Sequence, residues 1–135
     1  MSVLARFRSE SPFAVRDDAR KLEVKIIKLC MNEKYFPKRY RFILTTAIIE
    51  DAHKLADYIE AANKTDLTAE FARRRLSYQK EALIRIEFIF RKLILAQELG
   101  FTIPEGVLLE LGEMLQKEER SIKNWIESDK TRMKS

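Results

Sequence analysis

The sequence predicts an all-α protein, an antiparallel up-down-up-down four-helix bundle. Three observations carry that expectation. Apolar residues recur at 3.6-residue spacing in four separate stretches, and no stretch alternates with the two-residue period of a strand. Pro12, Pro37 and Pro104 all stand near the start of one of those stretches, where proline is tolerated. The connections between stretches are short, which favours antiparallel neighbours.

The first helix is expected over 12–33, opening at Ser11-Pro12. Val15, Ala19, Leu22, Ile26, Leu29 and Cys30 form its apolar stripe, and Val24, Ile27 and Met31 lie roughly opposite. A break at Asn32 to Phe36 leads into a second helix over 37–63. Its buried side should include Tyr40, Leu44, Ala47, Ile48, Leu55, Ile59 and Ala62, with Glu50, His53, Asp57 and Glu60 on the other side. Lys38, Arg39 and Arg41 crowd its first turns with no acid before Glu50, which opposes the helix dipole. Such cations either find an acid from another helix or serve a partner.

The third helix, 66–99, organises the rest. Asp66 and Thr68 are candidate N-caps, and Gly100 is the residue preferred just past a helix end. At ~1.5 Å per residue it would be about 50 Å long. Leu76, Leu83, Ile86, Phe90, Leu93 and Ile94 make one apolar face, and Phe71, Tyr78, Ala82, Ile89 and Ala96 a second beside it. A helix apolar on so much of its circumference has to be covered on more than one side. Arg73, Arg74 and Arg75 are consecutive, and Lys80, Arg85, Arg91 and Lys92 follow, diluted by Glu70, Glu81, Glu87 and Glu98. The fourth helix, 103–128, opens on the capping-box spacing Thr102-Ile103-Pro104-Glu105. Val107, Leu108, Leu111, Met114, Leu115, Ile122, Trp125 and Ile126 form its stripe, with Glu118 in the middle. Arg75 likewise falls on the apolar side of its helix, and buried charges of this kind require partners.

The 135 residues fit a single domain over 11–130, with 1–10 and 131–135 as frayed tails. A net charge of +5 permits nucleic-acid binding without requiring it. The single cysteine, Cys30, forms no internal disulfide and reads as a small buried hydrophobe in a cytoplasmic chain. No signal peptide is expected, since Met1 to Glu10 carries Arg6, Arg8 and Glu10 and lacks a long apolar run, and no run of eighteen apolar residues is present to span a membrane. No phosphate-binding glycine loop is possible with glycine only at 100, 106 and 112. The only histidine, His53, stands in a Glu50-Asp51-Ala52-His53 spacing that does not recur, so no carboxylate-bridged metal centre is expected. The expectation is a protein with no catalytic residues, no metal and no cofactor.

Several segments carry a family resemblance. Tyr35-Phe36-Pro37-Lys38-Arg39-Tyr40-Arg41-Phe42 resembles the Phe-Pro-Lys-x-x-Arg-Phe segment opening the second helix of a family of small bacterial four-helix bundles. Ala61-Ala62-Asn63 resembles that family's ending of the same helix, and Leu76 to Leu99 looks like its third helix. Trp125-Ile126-Glu127-Ser128-Asp129-Lys130 resembles its Trp-Ile-Lys-Ser-type ending, with Asn124 where the family has glycine. The family comprises the accessory variability determinant (Avd) proteins of diversity-generating retroelements and proteins encoded in intervening sequences of bacterial ribosomal RNA genes. The resemblance implies a homo-oligomer, a ring of five, that binds RNA or DNA with little sequence preference and docks onto a reverse transcriptase. The residues themselves leave open a plain oligomeric interaction protein without a nucleic-acid role. The expected binding residues are Arg39, Arg41, Arg73, Arg74, Arg75, Arg85 and Arg91. The expected oligomer contacts are Val24, Ile27 and Met31 on the first helix and Phe71, Tyr78 and Ile89 on the third.

Overall fold

The computed structural model describes residues 12–134, so the expected N-terminal tail and Ser135 lie outside the described residues. Four α-helices carry the fold: α1 (Pro12–Cys30), α2 (Thr46–Lys64), α3 (Ala72–Glu98) and α4 (Glu105–Lys134). A 3₁₀ turn at Lys38–Tyr40 and a π-helical turn at Arg41–Thr45 precede α2. The chain is an all-α four-helix bundle, and no strand occurs among the described residues. Side-chain partners run in opposite order along neighbouring helices, as antiparallel packing requires. Arg16 and Glu23 of α1 meet Glu60 and His53 of α2, while Lys25 and Asp18 meet Glu110 and Lys117 of α4. Tyr58 of α2 stacks on Tyr78 of α3, and Asp51 meets Arg85 and Lys92 further along.

The core is one cluster fed by all four helices, including Leu22 and Ile26, Ile48 and Leu55, Ile86 and Ile89, and Leu111, Leu115 and Ile122. On α3 the buried line is Arg75, Gln79, Ala82, Ile86, Ile89, Leu93 and Ala96. It runs between the two apolar faces expected from the sequence. Small Ala82 and Ala96 take the centre line, and Leu83, Phe90 and Tyr78 flank it as half-buried side chains. Phe90 rests 3.8 Å from where Gly112 of α4 would carry a Cβ. Ile94, expected in the core, is exposed.

The helix ends follow local chemistry. Thr68, one of the two expected caps, accepts the Phe71 amide on its hydroxyl (3.3 Å) and the Ala72 amide on its carbonyl (2.8 Å). The helix proper therefore begins at Ala72 rather than at 66. Gly100 adopts φ +87°, and the Phe101 and Gly100 amides close back on the Ala96 and Gln97 carbonyls, both at 3.0 Å. That is the paired-bond helix stop for which a glycine is preferred. Thr102 does not form the expected capping box. Its hydroxyl donates to the Lys34 carbonyl (3.0 Å), and the Pro104 carbonyl takes the Val107 amide.

Two boundaries differ further. The second helix does not run smoothly from 37: no side chain caps its start, and cations rather than acids fill the first turn. The 3₁₀ and π turns occupy that stretch. At the other end, α4 runs on to Lys134 instead of fraying after 128. Asp129 is drawn into the core there, where Arg75 and Gln79 bind it.

Candidate nucleic-acid interface

The seven arginines expected to bind a partner separate into three groups. Two turn inward. Arg75 is buried and forms a two-pronged pair with Asp129, Nε to Oδ2 at 2.7 Å and Nη2 to Oδ1 at 3.0 Å. Its remaining Nη1 donates to the Thr65 carbonyl at 3.1 Å, and the guanidinium lies 5.2 Å from the Trp125 ring centre. Every edge of this fork is engaged, so Arg75 is a structural residue and not a surface contact. Arg85 donates to Asp51 at 3.3 Å, and Lys92 binds the other oxygen of the same buried carboxylate. Arg85 is thereby directed at α2 instead of at solvent.

The second group lies on the outward side of α3. Arg73, Arg74 and Arg91 are exposed, as is Lys80 between them. Arg73, Lys80 and Arg91 are separated by seven and eleven residues, so at ~100° per residue they fall within about 20° of one line. None of the three has a carboxylate within ion-pair distance among the described residues. Arg74 sits over the Phe71 ring (5.7 Å) and Arg91 over Phe88 (5.6 Å), which hold their stems along the helix. The third group, Lys38, Arg39 and Arg41, precedes α2. Lys38 and Arg39 are exposed, while half-buried Arg41 lies 3.6 Å from Glu33, an acid in the turn that follows α1. The antiparallel order of α2 and α3 places this third group at the end of the bundle away from Arg73 and Arg74.

The expected oligomer residues divide as well. Ile89 has no exposed surface and belongs to this chain's own core, so it offers a second chain nothing. Tyr78 is half-buried against Tyr58, ring centres 6.3 Å apart, and Phe71 is half-buried under Arg74. On α1, by contrast, Val24 is 52% exposed and Met31 63%, with Ile27 half-buried beside them. Val24 also lines a groove of about 640 Å³ between α1 and α4. Leu29, Val107 and Met114 give the groove apolar walls, and Arg20, Lys21 and Lys28 a basic edge.

The titratable interior is sparse. Cys30 is buried, and loss of hydration pushes its thiol up to about 12, so it stays a neutral packing group. Glu118 has no exposed surface, and neither carboxyl oxygen has a hydrogen-bond partner. Burial raises it to about 9, reinforced by the charge of Asp18 and opposed by Lys117. His53 is exposed, with Nδ1 2.6 Å from the Glu23 carboxylate. No helix among the described residues is long and apolar enough to cross a membrane.

Neither a known protein family, nor a curated protein, nor a solved structure matches the chain.

A run such as Arg73-Arg74-Arg75 is visible in one dimension, and Arg73 and Arg74 are exposed. The sequence could not show which arginine of the run turns inward. Phe42 and Ile43, both exposed, were not among the residues expected to bind a partner.

Proposed function

We propose that this protein is a non-enzymatic accessory protein that self-associates and binds nucleic acid without sequence preference. By its family resemblance, its further partner would be a reverse transcriptase. The observation that carries the reading is the line of exposed cations on the outward side of α3, Arg73, Lys80 and Arg91, none of them ion-paired among the described residues, with exposed Arg74 about a quarter turn round the helix. Cations kept clear of carboxylates retain their full attraction for phosphate, and arginine binds phosphate oxygens in pairs. Exposed Val24 and Met31, with half-buried Ile27 between them, give α1 and its end an apolar surface for a second copy. Assembly into a ring would repeat the cation line once per subunit and turn a charge of +5 per chain into a strong field. The loss of Arg75 and Arg85 to internal pairs supports a second reading, an oligomeric interaction protein of the ribosomal intervening-sequence type with no nucleic-acid role.

A salt titration of binding to a labelled RNA separates the two readings. The parent should bind at low salt with affinity falling steeply as salt rises, since each phosphate contact releases counterions. Arg73→Ala/Arg74→Ala should weaken binding and reduce the salt slope by about 2 per chain. No binding by the parent at low salt would leave the second reading standing. Light scattering should give a multiple of 15.9 kDa. Val24→Glu/Met31→Glu should shift that mass toward the monomer, and a parent that is already monomeric would remove self-association from the proposal.

A further inference from the structure

Phe42 and Ile43 are the most exposed large apolar side chains among the described residues, at 92% and 73%. At 92% exposure Phe42 contributes almost no burial energy to this fold, and Ile43 contributes little, so folding alone does not account for an aromatic at position 42. They are carried by the π-helical turn Arg41–Thr45, a wide turn of a kind frequent at functional sites. The turn is firmly seated on both sides. Its own Leu44 and Thr45 are buried, and Tyr40 just before it packs on Phe101 (5.0 Å between ring centres), which in turn packs edge-on against Phe36 (5.5 Å). Lys38 and Arg39 are exposed just ahead, with the Arg39 guanidinium 5.4 Å from the Tyr40 ring centre. Glu33, at Arg41, is the only acid with an ion pair to this stretch among the described residues.

We propose that this corner binds unpaired nucleotides of single-stranded RNA or DNA, with a base stacked on Phe42 and the adjacent phosphates held by Lys38, Arg39 and Arg41. The proposal rests on the nucleic-acid reading above and adds the strand state and the residue that selects it. Cations alone bind duplex and single strand alike. A free aromatic face distinguishes them, because only an unpaired base can leave its neighbours and stack on it. Ile43, next in the chain and also exposed, adds apolar surface to this corner. Two side chains are too little apolar surface for a stable protein interface, which covers about 800 Å² per partner. The surplus of cations over acids selects a polyanion over a neutral partner.

The test is fluorescence anisotropy with a labelled oligouridylate of about twelve nucleotides and a blunt duplex of the same length, at one low salt concentration. The proteins are the parent, Phe42→Ala, Phe42→Trp and Arg73→Ala/Arg74→Ala. Because Phe42 is exposed, its substitution leaves the bundle folded, which circular dichroism verifies. Phe42→Ala should lose about 5- to 100-fold on the single strand, in line with one stacked base, and less than about twofold on the duplex. Phe42→Trp should restore single-strand binding. A parent that binds single strands while Phe42→Ala binds them equally well would overturn this site and leave the nucleic-acid function intact. Equal losses on single strand and duplex would also overturn it. So would a Phe42→Ala variant that loses only its binding to vesicles containing anionic lipid, which would make the corner a membrane contact. A parent that binds neither oligonucleotide would end both readings together.

Discussion

Glu118 and Asp129 stand on the same face of α4, eleven residues apart, and both carboxyls are buried. Asp129 receives Arg75 through two nitrogens and Gln79 through a third, and Arg132 approaches it at 3.9 Å. Glu118 receives nothing. A carboxylate taken from water loses several kcal/mol of hydration, and only two routes offset that loss. One is a well-placed cation with hydrogen bonds for the remaining lone pairs, as at Asp129. The other is to remain protonated, and the rise to about 9 at Glu118 is the expression of that second route. Comparable burial is therefore met in two different ways, decided by what α3 and α1 bring to each position. At one level α3 supplies an arginine and a glutamine. At the other, α1 brings Asp18, a further negative charge, and Lys117 is 3.7 Å from Asp18.

The largest expected effect comes from breaking the paired site. Asp129→Ala leaves the Arg75 guanidinium buried with only the Thr65 carbonyl and the Trp125 ring for company. The expected loss is about 3–5 kcal/mol in chemical denaturation at neutral pH. A variant within about 1 kcal/mol of the parent would show that water reaches the site. Arg75→Met/Asp129→Leu, which removes both charges at once, should recover most of the stability.

Glu118→Gln addresses the unpaired site through its pH dependence. The folded group holds its proton to about 9, whereas an ordinary glutamate loses it near 4.5. The folded state thus binds a proton that the unfolded state has released across that window. The stabilising contribution is fully present below about pH 4.5 and is lost as pH rises toward 9, at about 1.4 kcal/mol per unit. Denaturation midpoints at pH 5, 7 and 9 should fall for the parent and fall less for Glu118→Gln. At pH 7 the variant should be more stable by about 1–3 kcal/mol, since glutamine is neutral in both states. Parallel pH profiles for the two proteins would mean that Glu118 titrates normally and is hydrated.

The smallest effect belongs to a third carboxylate, next along the helix. Glu119 lies 3.6 Å from Lys123 one turn on, and the lysine side chain is well exposed. Lys123→Ala should change stability by about 0.3–0.5 kcal/mol, and by less in high salt. A loss above about 1 kcal/mol would show that α4 is sensitive to substitution anywhere along its length, and the contrast between Asp129 and Glu118 would lose its force.

The sequence by itself determined the all-α class, the four helices and most of their faces, because 3.6-residue periodicity is local information. It determined the stop at Gly100, since a helix ending with positive φ favours the residue without a Cβ. It also showed that Arg75 and Glu118 each lie on an apolar stripe and would each require a partner if buried. The tertiary structure decided that Arg75 has such a partner, Asp129, and that Glu118 has none among the described residues. Asp129 lies 54 residues from Arg75, in a stretch that reads as a charged tail, and nothing local marks it as core. Once Arg75 is buried it draws the end of α4 inward, and the helix continues to Lys134. Burial of Ile89 follows the same logic, because the centre line of α3 depends on how closely α2 and α4 approach its two flanks.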